Sequence, residues 1–357
     1  MRTRGTIRLA TRGSALARKQ AALIQSALEQ HRYDVELVEV ETTGDKISDE
    51  LIHRLGKTGA FVRALDEQVL DGTVDGAIHS MKDMPTEQPD ELIVAGIPKR
   101  ADPGDVLVTP DGRSLPDLPE GAVIGTASLR RKAQCLAARP DLTVEPIRGN
   151  VDTRIEKLLA PHRQREHQER LDAKEGGEDR FDRTPEEWFD GLAEIERLAM
   201  ERQVDTEYDG IVLAAAGLER SGLGEAVPTV RFEPTDHVPA PGQGAIAVTA
   251  VDGSDASEAI HDAIDTPRTR VETTVERVVL AELGGGCIAP IGIYGVVQGE
   301  HVHTTVQVLN QDGTESVAAT RDISIETYVE GAKSFAADLR DRGAAELIEV
   351  ARREAGE

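Results

Sequence analysis

Apolar and polar positions alternate over residues 6–11 (TIRLAT), the period of a strand with one buried face. Ser14 follows as a helix cap, and Leu16, Gln20, Leu23, Ile24 and Ala27 then recur on one side of a helix. Residues 35–42 (VELVEVET) read as a second strand, and 59–72 as a helix with Phe61, Leu65, Gln68 and Val69 facing one way. A short apolar strand, 74–80 (VDGAIHS), comes next. This rhythm predicts an α/β unit, with helices packed on a largely parallel sheet. The stretch 98–121, rich in Pro, Gly and Asp, interrupts it. The rhythm then restarts with strand 122–127 (AVIGTA) and the helix LRRKAQCLAARP behind Ser128. Strand 142–149 and the helix VDTRIEKLL behind Asn150 follow, then a buried strand entering a helix at 208–217. Beyond about residue 265 the pattern becomes helix, alternating strands around IGIYGVVQG and VHTTVQVL, and a final helix in 328–353. That predicts a third, smaller α+β unit.

One segment stands apart. Residues 161–187 carry nine acids and six bases with almost no apolar positions, and they predict a solvated, partly disordered insert. It runs into TPEEWFDGLAEIERLAM, where Thr184, Pro185 and Glu187 have the spacing of a capping box with proline at the first helical position. Trp188, Leu192, Ile195 and Leu198 make the apolar stripe of a docked surface helix.

Composition narrows the class. At 357 residues the chain exceeds what one core usually supports, and its 39% apolar content is enough to fold two or three. Two cysteines cannot build a disulfide framework, and no apolar leader follows the opening residues. A reducing, cytoplasmic location without a signal peptide is therefore expected. The formal charge of −24 argues against nucleic acid or an anionic membrane as partner. Nine lysines against 32 arginines, with abundant acid, suit a halophilic source, where high salt screens the surface repulsion.

Against that acidic background the basic residues fall at particular places. Arg12 sits where the first strand meets its helix, and Lys82 just past a strand end in HSMKD. Arg130 and Arg131 open a helix, Arg148 ends a strand in IRGN, and Arg154 lies one turn into the next helix. Strand C-terminal ends are where open α/β sheets bind ligands, and helix N-termini there suit anions. Two arginines in a first turn work against the helix dipole, so stability alone does not explain them. Their fixed forks suit carboxylates, and a cleft holding a polycarboxylate is expected. Asp83, beside Lys82, could handle protons or stabilise a cation there. His79 and Cys135 read as core residues. Cys287 follows three glycines in LGGGCIAPIG, and the residues alone leave it open between a reactive anchor and a small buried side chain.

The segments RLATRGSALA, AIHSMKDMPT, IGTASLRR, IRGNVDTR, LAAAGLERSG, PGQGAIAV and LGGGCIAPIG resemble, in order, motifs of the porphobilinogen deaminase (hydroxymethylbilane synthase) family. The resemblance covers most of 5–160 and 208–298 and is weak in the last sixty residues. It implies two α/β domains like type II periplasmic binding proteins, here 1–99 with 238–262 and 103–235, and a C-terminal α+β domain over 265–357. It implies head-to-tail joining of four porphobilinogens with loss of ammonia, then release of the linear tetrapyrrole by water. The implied cofactor is a dipyrromethane held by a thioether to Cys287, with no metal. Asp83 matches the family's catalytic Asp, with Lys82 beside it. Arg12, Ser14, Ser80, Lys82, Thr126, Ser128, Arg130, Arg131, Arg148, Gly149, Asn150, Arg154 and Arg220 match positions that bind cofactor or substrate. A monomer that hands its product to uroporphyrinogen-III synthase is the implied setting.

The chain departs from the family pattern at three places. Thr58 stands where a loop lysine is usual, with Lys57 one position earlier; Ala127 replaces a serine; and the link 161–207 is unusually long. Two other readings use part of this pattern. A binding protein would use the two α/β units and the anion cleft but not Cys287. A cysteine hydrolase would use Cys287, but no histidine near a strand end makes a convincing partner for it.

Overall fold

A computed structural model describes residues 3–40, 60–284, 286 and 289–355. The chain opens with β1 (Gly5–Arg12), α1 (Ala15–Gln30), β2 (Tyr33–Val40), α2 (Ala60–Leu70), β3 (Gly76–Ser80) and β4 (Leu92–Gly96). It crosses to a second unit at β5 (Asp105–Val108), followed by β6 (Val123–Gly125), α3 (Leu129–Ala138), β7 (Thr143–Glu145) and α4 (Val151–Gly176). After α5 (Pro185–Asp190) and α6 (Glu194–Met200) come β8 (Gly210–Ala214), α7 (Ala215–Ser221) and β9 (Thr229–Arg231). The chain then returns to the first unit through β10 (Ile246–Val251) and α8 (Asp255–Ile264). The last unit holds α9 (Pro267–Glu282), β11 (Ile291–Gln298), β12 (His301–Leu309), β13 (Ser316–Ser324), α10 (Tyr328–Leu339) and α11 (Ala345–Ala355).

The first sheet has the order β2-β1-β3-β10-β4 and the second β7-β6-β8-β5-β9. Four strands in each run parallel, as the largely parallel expectation has it, and one strand, β10 or β5, is inserted antiparallel to both neighbours. The sheets are therefore mixed, because a crossing strand enters from the opposite end. β5 lies inside the Pro/Gly/Asp-rich stretch that reads as a break; its four residues are all buried. The third sheet, β11-β12-β13, is antiparallel and carries α9, α10 and α11 over Val279, Ile293, Val306, Phe335 and Leu339. Each buried Leu, Ile or Phe of these cores contributes roughly 1.5–3 kcal/mol.

Local signals hold at several ends. Ser14 Oγ accepts from Ala17 N, Ser128 Oγ from Arg131 N, and Thr184 with Glu187 forms the reciprocal capping box. Asn150 occupies the cap position of α4 without a side-chain cap bond. The buried face of α1 is Gln20, Ala21, Ile24 and Leu28, while Leu23 is exposed. On α2 it is Val62, Leu65, Asp66 and Val69; the side chain of Phe61 lies outside the described residues. The final helix is interrupted at Gly343, whose φ of 100° cannot continue an α-helix.

The polar segment 161–187 is the largest departure. Residues 161–176 are not disordered; they continue α4, which is 26 residues long. Pro161 has no amide to donate within that helix. Tertiary contacts hold it in place. Gln164 donates to the carbonyls of Met200 and Arg202, and Arg163 pairs with Glu166 and Glu196. Arg170 stacks over Phe181 at 4.3 Å and Trp188 at 5.1 Å, and His167 stacks on Trp188. The expected single docked helix is two, α5 and α6, broken around Gly191–Ala193. Trp188, Leu192 and Ile195 are buried as expected, but Leu198 is 46% exposed and Ala199 takes its place inside.

Candidate functional site

The C-terminal ends of the parallel strands bring the two α/β units together. β1 ends at Arg12, and β3 ends at Ser80, running directly into a 3₁₀ turn, Met81–Asp83. From the second unit, β6 leads to Thr126 and Ser128, and the chain after β7 to Arg148, Gly149 and Asn150 at the start of α4. Thr126 Oγ1 accepts from Ser128 N at 3.2 Å, bracing the turn before α3. Gly149 has φ +112°, and a Cβ there would stand 2.4 Å from Thr153 Cγ2, so only glycine fits this approach to α4.

Lys82 is the meeting point. It keeps contact with solvent in the cleft yet is surrounded by protein, and this burial lowers its ammonium below the ordinary lysine value. Asp83 and Asp105 oppose the shift; Arg131 and Arg154 add to it. Arg154 is pushed down to about 10 by burial and then by Arg131. Its Nε donates to Gly149 O at 2.8 Å. Asp83 is exposed. Thus Lys82, Arg131 and Arg154, drawn from both units, lie within electrostatic reach of one another beside an exposed carboxylate. Their mutual repulsion in this partly dry cleft favours an anion.

Arg130 and Arg131 already hold a carboxylate, that of Asp105. Arg130 Nη2 reaches Asp105 Oδ2 at 2.7 Å, and Arg131 Nε and Nη2 reach Oδ1 at 3.1 and 2.8 Å. All three residues are buried. Burial alone would raise the Asp105 carboxyl, but Arg130, Arg131 and then His237 overturn this and hold it well below the usual range. Arg130 also donates to Val238 O and Gln134, and Arg131 to Val212 O and Gln243. The expected pair of ligand-binding forks is also part of the core of the junction, because β5 places an acid beneath α3.

The return crossing reinforces that junction. Gln243 donates to the carbonyls of Pro103 and Gly104 and to Asp105. Gly242, with φ +72°, passes so close to the Asp83 turn that a Cβ would lie 2.8 Å from Met81 Cγ. Arg220, half-buried, donates to Gly244 O at 2.8 Å. Glu276 of α9 is fully buried and binds Arg100 through both oxygens, at 2.7 and 3.0 Å, while accepting from Gly242 N and Gly295 N. Arg12 and Arg148 are each engaged in interactions of their own.

His79 is buried as expected, with Nε2 3.0 Å from Asp66 Oδ1 and 3.1 Å from Thr249 Oγ1. Cys135 is fully buried and its thiol is pushed up to about 12 by burial, so it is inert. Cys287, Lys57 and Thr58 lie outside the described residues. Asp105, His237, Gln243, Glu276 and Arg277 escape a reading of the residues alone. The one available signal is a charged or amide side chain inside an otherwise apolar or glycine-rich run, as in PGDVLV and PGQGAIAV.

Comparison with known proteins bears on this geometry. A family model described as "Porphobilinogen deaminase, dipyromethane cofactor binding domain" matches residues 7–166 and 195–259. A second, "Porphobilinogen deaminase, C-terminal domain", matches 271–341. A probable porphobilinogen deaminase of Halobacterium salinarum is 53% identical, over 98% of this chain and 99% of its own length. One from Methanococcoides burtonii is 38% identical over 96% of each. Among solved structures, the methionine-binding protein MetQ aligns over 72% of this chain and 89% of its own, at 10% identity and a TM-score of 0.34. Among the described residues no helix is long and apolar enough to cross a membrane. Matched by both family models over most of its length, and by a 53% identical relative over 98% of it, the chain belongs to the porphobilinogen deaminase family of transferases.

Proposed function

We propose that this chain joins four porphobilinogen molecules head to tail, releasing one ammonia at each condensation, and then frees linear hydroxymethylbilane by hydrolysis. The observation that carries the reading is the cluster of Lys82, Arg131 and Arg154 around the exposed Asp83, between two α/β units. Each porphobilinogen carries an acetate and a propionate, so substrate and product chain are polyanions that such a cluster suits.

The donor set also suits a dipyrromethane, whose side chains are the same carboxylates. When bound, that group supplies the free pyrrole α-carbon to which the first porphobilinogen is joined. We assign its covalent attachment to Cys287 through a thioether. Lys82 and Arg154 bind carboxylates, with Arg12, Arg148 and Arg220 around them. Ser14, Ser80, Thr126, Ser128, Gly149 and Asn150 contribute hydroxyl, amide and backbone donors at the strand ends. Arg131 adds positive field, while Arg130 serves by holding Asp105. The Asp83 carboxylate stabilises the positive charge left on the substrate as its C–N bond breaks. It then takes up the ring proton released once the new C–C bond has formed.

The finer setting follows the same reading. We assign three domains, 1–99 with 238–262, 103–235 and 265–357, in a monomeric cytoplasmic enzyme of a halophile that passes its product to uroporphyrinogen-III synthase.

The test is intact mass and reaction with Ehrlich's aldehyde reagent, on the parent and on Cys287→Ser. The parent should exceed the 38.5 kDa chain by two linked pyrroles and give a coloured adduct; Cys287→Ser should do neither. A parent that gains no mass even after incubation with porphobilinogen would overturn the assignment and favour a binding protein.

A further inference from the structure

We propose that Arg277 of α9 is a positioning residue for the catalytic turn, fixing where the Asp83 carboxylate stands in the cleft. The inference rests on the reading of Asp83 given above. Arg277 Nη1 donates to Met84 O at 3.3 Å and Nη2 to Pro85 O at 2.7 Å, the first two carbonyls after Asp83. Pro85 has no amide hydrogen, so the chain leaving the turn cannot be pinned by donation at that residue. Its carbonyls remain, and a guanidinium fork spans two neighbouring acceptors as a lysine ammonium does not.

Entry to the turn is held separately. Met81 N donates to Ala245 O at 3.1 Å, and Gly242 packs against Met81 and the Lys82 amide. Gly242 N is in turn fixed by Glu276, the residue preceding Arg277. Consecutive residues of one helix thus act on both sides of a three-residue turn. Burial pushes the Arg277 guanidinium down, and no described acid offsets that shift. A half-buried arginine spent on two carbonyls is costly for stability alone, whereas it suits a requirement for a fixed turn.

The experiment uses the full-length holoenzyme carrying Arg277→Gln or Arg277→Lys, each also combined with Asp83→Glu, and Asp83→Asn alone. Holo fraction is read by intact mass, unfolding by thermal melting, amide exchange of the 81–86 segment by mass spectrometry, and kcat and KM per holo site. Arg277→Gln should lower kcat about tenfold to a hundredfold, the range for a misplacement near 1 Å, with KM changing far less. It should also speed amide exchange at Met84 in both holo and cofactor-free protein. Arg277→Lys should fall between parent and Arg277→Gln, and it decides the matter if the glutamine variant does not fold. In the Asp83→Glu background the Arg277→Gln loss should shrink, as coupled residues require. A lowered melting temperature with unchanged kcat per holo site in both Arg277 variants would show a merely structural role and overturn the inference. So would an equal loss with and without Asp83→Glu. Full kcat in Asp83→Asn would instead sink the reading of Asp83 itself, whatever the Arg277 variants do.

Discussion

Asp105 shows how one residue changes the meaning of others. Two arginines at the start of α3 suggest ligand forks, and Asp105 beneath them ties both into an internal ion cluster. Breaking such a cluster by removing one partner commonly costs about 3–5 kcal/mol, because it leaves charge buried and unpaired. His237 sits in the same cluster, stacked on Phe232 at 4.3 Å, with Nε2 3.6 Å from Asp105 Oδ2. Burial pushes His237 down to about 3 despite Asp105, so the folded protein holds it neutral. The unfolded chain takes up that proton near the ordinary histidine value of about 6.5. Stability is therefore intact above that range and falls as pH drops toward about 3, by up to roughly 1.4 kcal/mol per pH unit. Asp105, held below its usual range, adds to the loss at the acid end. His237→Gln should flatten the slope, as measured by denaturant midpoints between neutral pH and the acid range. An unchanged slope would mean that His237 does not carry it.

At the scale of elements, α4 has two jobs. Its first turn belongs to the cleft, through Arg154, and its distal half carries the hairpin closed by α5 and α6. Over 26 residues the helix is about 39 Å long; α5 sits on its distal half, and α6 returns along it so that Ile195 and Ala199 share a core with Ile155 and Leu158. Trp188, packed between Arg170 and His167 and 7% exposed, is its anchor. Trp188→Ala should cost about 3 kcal/mol, at the low end for a buried tryptophan, because part of the site can collapse or admit water. The loss should show as a lower melting temperature with kcat and KM per holo site unchanged. A fall in kcat would instead connect the hairpin to the reaction. Composition misleads in this segment because charged residues read as solvated. Here their stems and guanidinium planes cover aromatic rings, and their charges meet partners 12 to 42 residues away.

Across the whole molecule the net charge of −24 opposes the approach of a dicarboxylate substrate. Screening shortens that repulsion, from a Debye length of about 10 Å at 0.1 M salt to about 3 Å at 1 M. Within the Lys82–Arg131–Arg154 cluster Arg131 is buried and Arg154 half-buried, so the cluster is screened less than the open surface. KM for porphobilinogen should therefore fall as KCl rises from the low to the molar range, with kcat per holo site nearly constant. A flat or rising KM would show that surface charge does not govern substrate access.

The sequence by itself determined the α/β rhythm, the caps at Ser14, Ser128 and Thr184, the turn holding Lys82 and Asp83, and, through seven ordered motifs, the family. These are short-range properties: periodicity, capping and turn chemistry act within a few residues and can be read in a window. Tertiary structure decided which strands cross between the units, why Arg130 and Arg131 face Asp105, and that α4 runs on through a polar stretch. It also decided that α9 reaches the Asp83 turn, by bonds joining residues nearly two hundred positions apart. No local pattern encodes such pairings, because burial and partner choice depend on which distant segments the closed fold brings into contact.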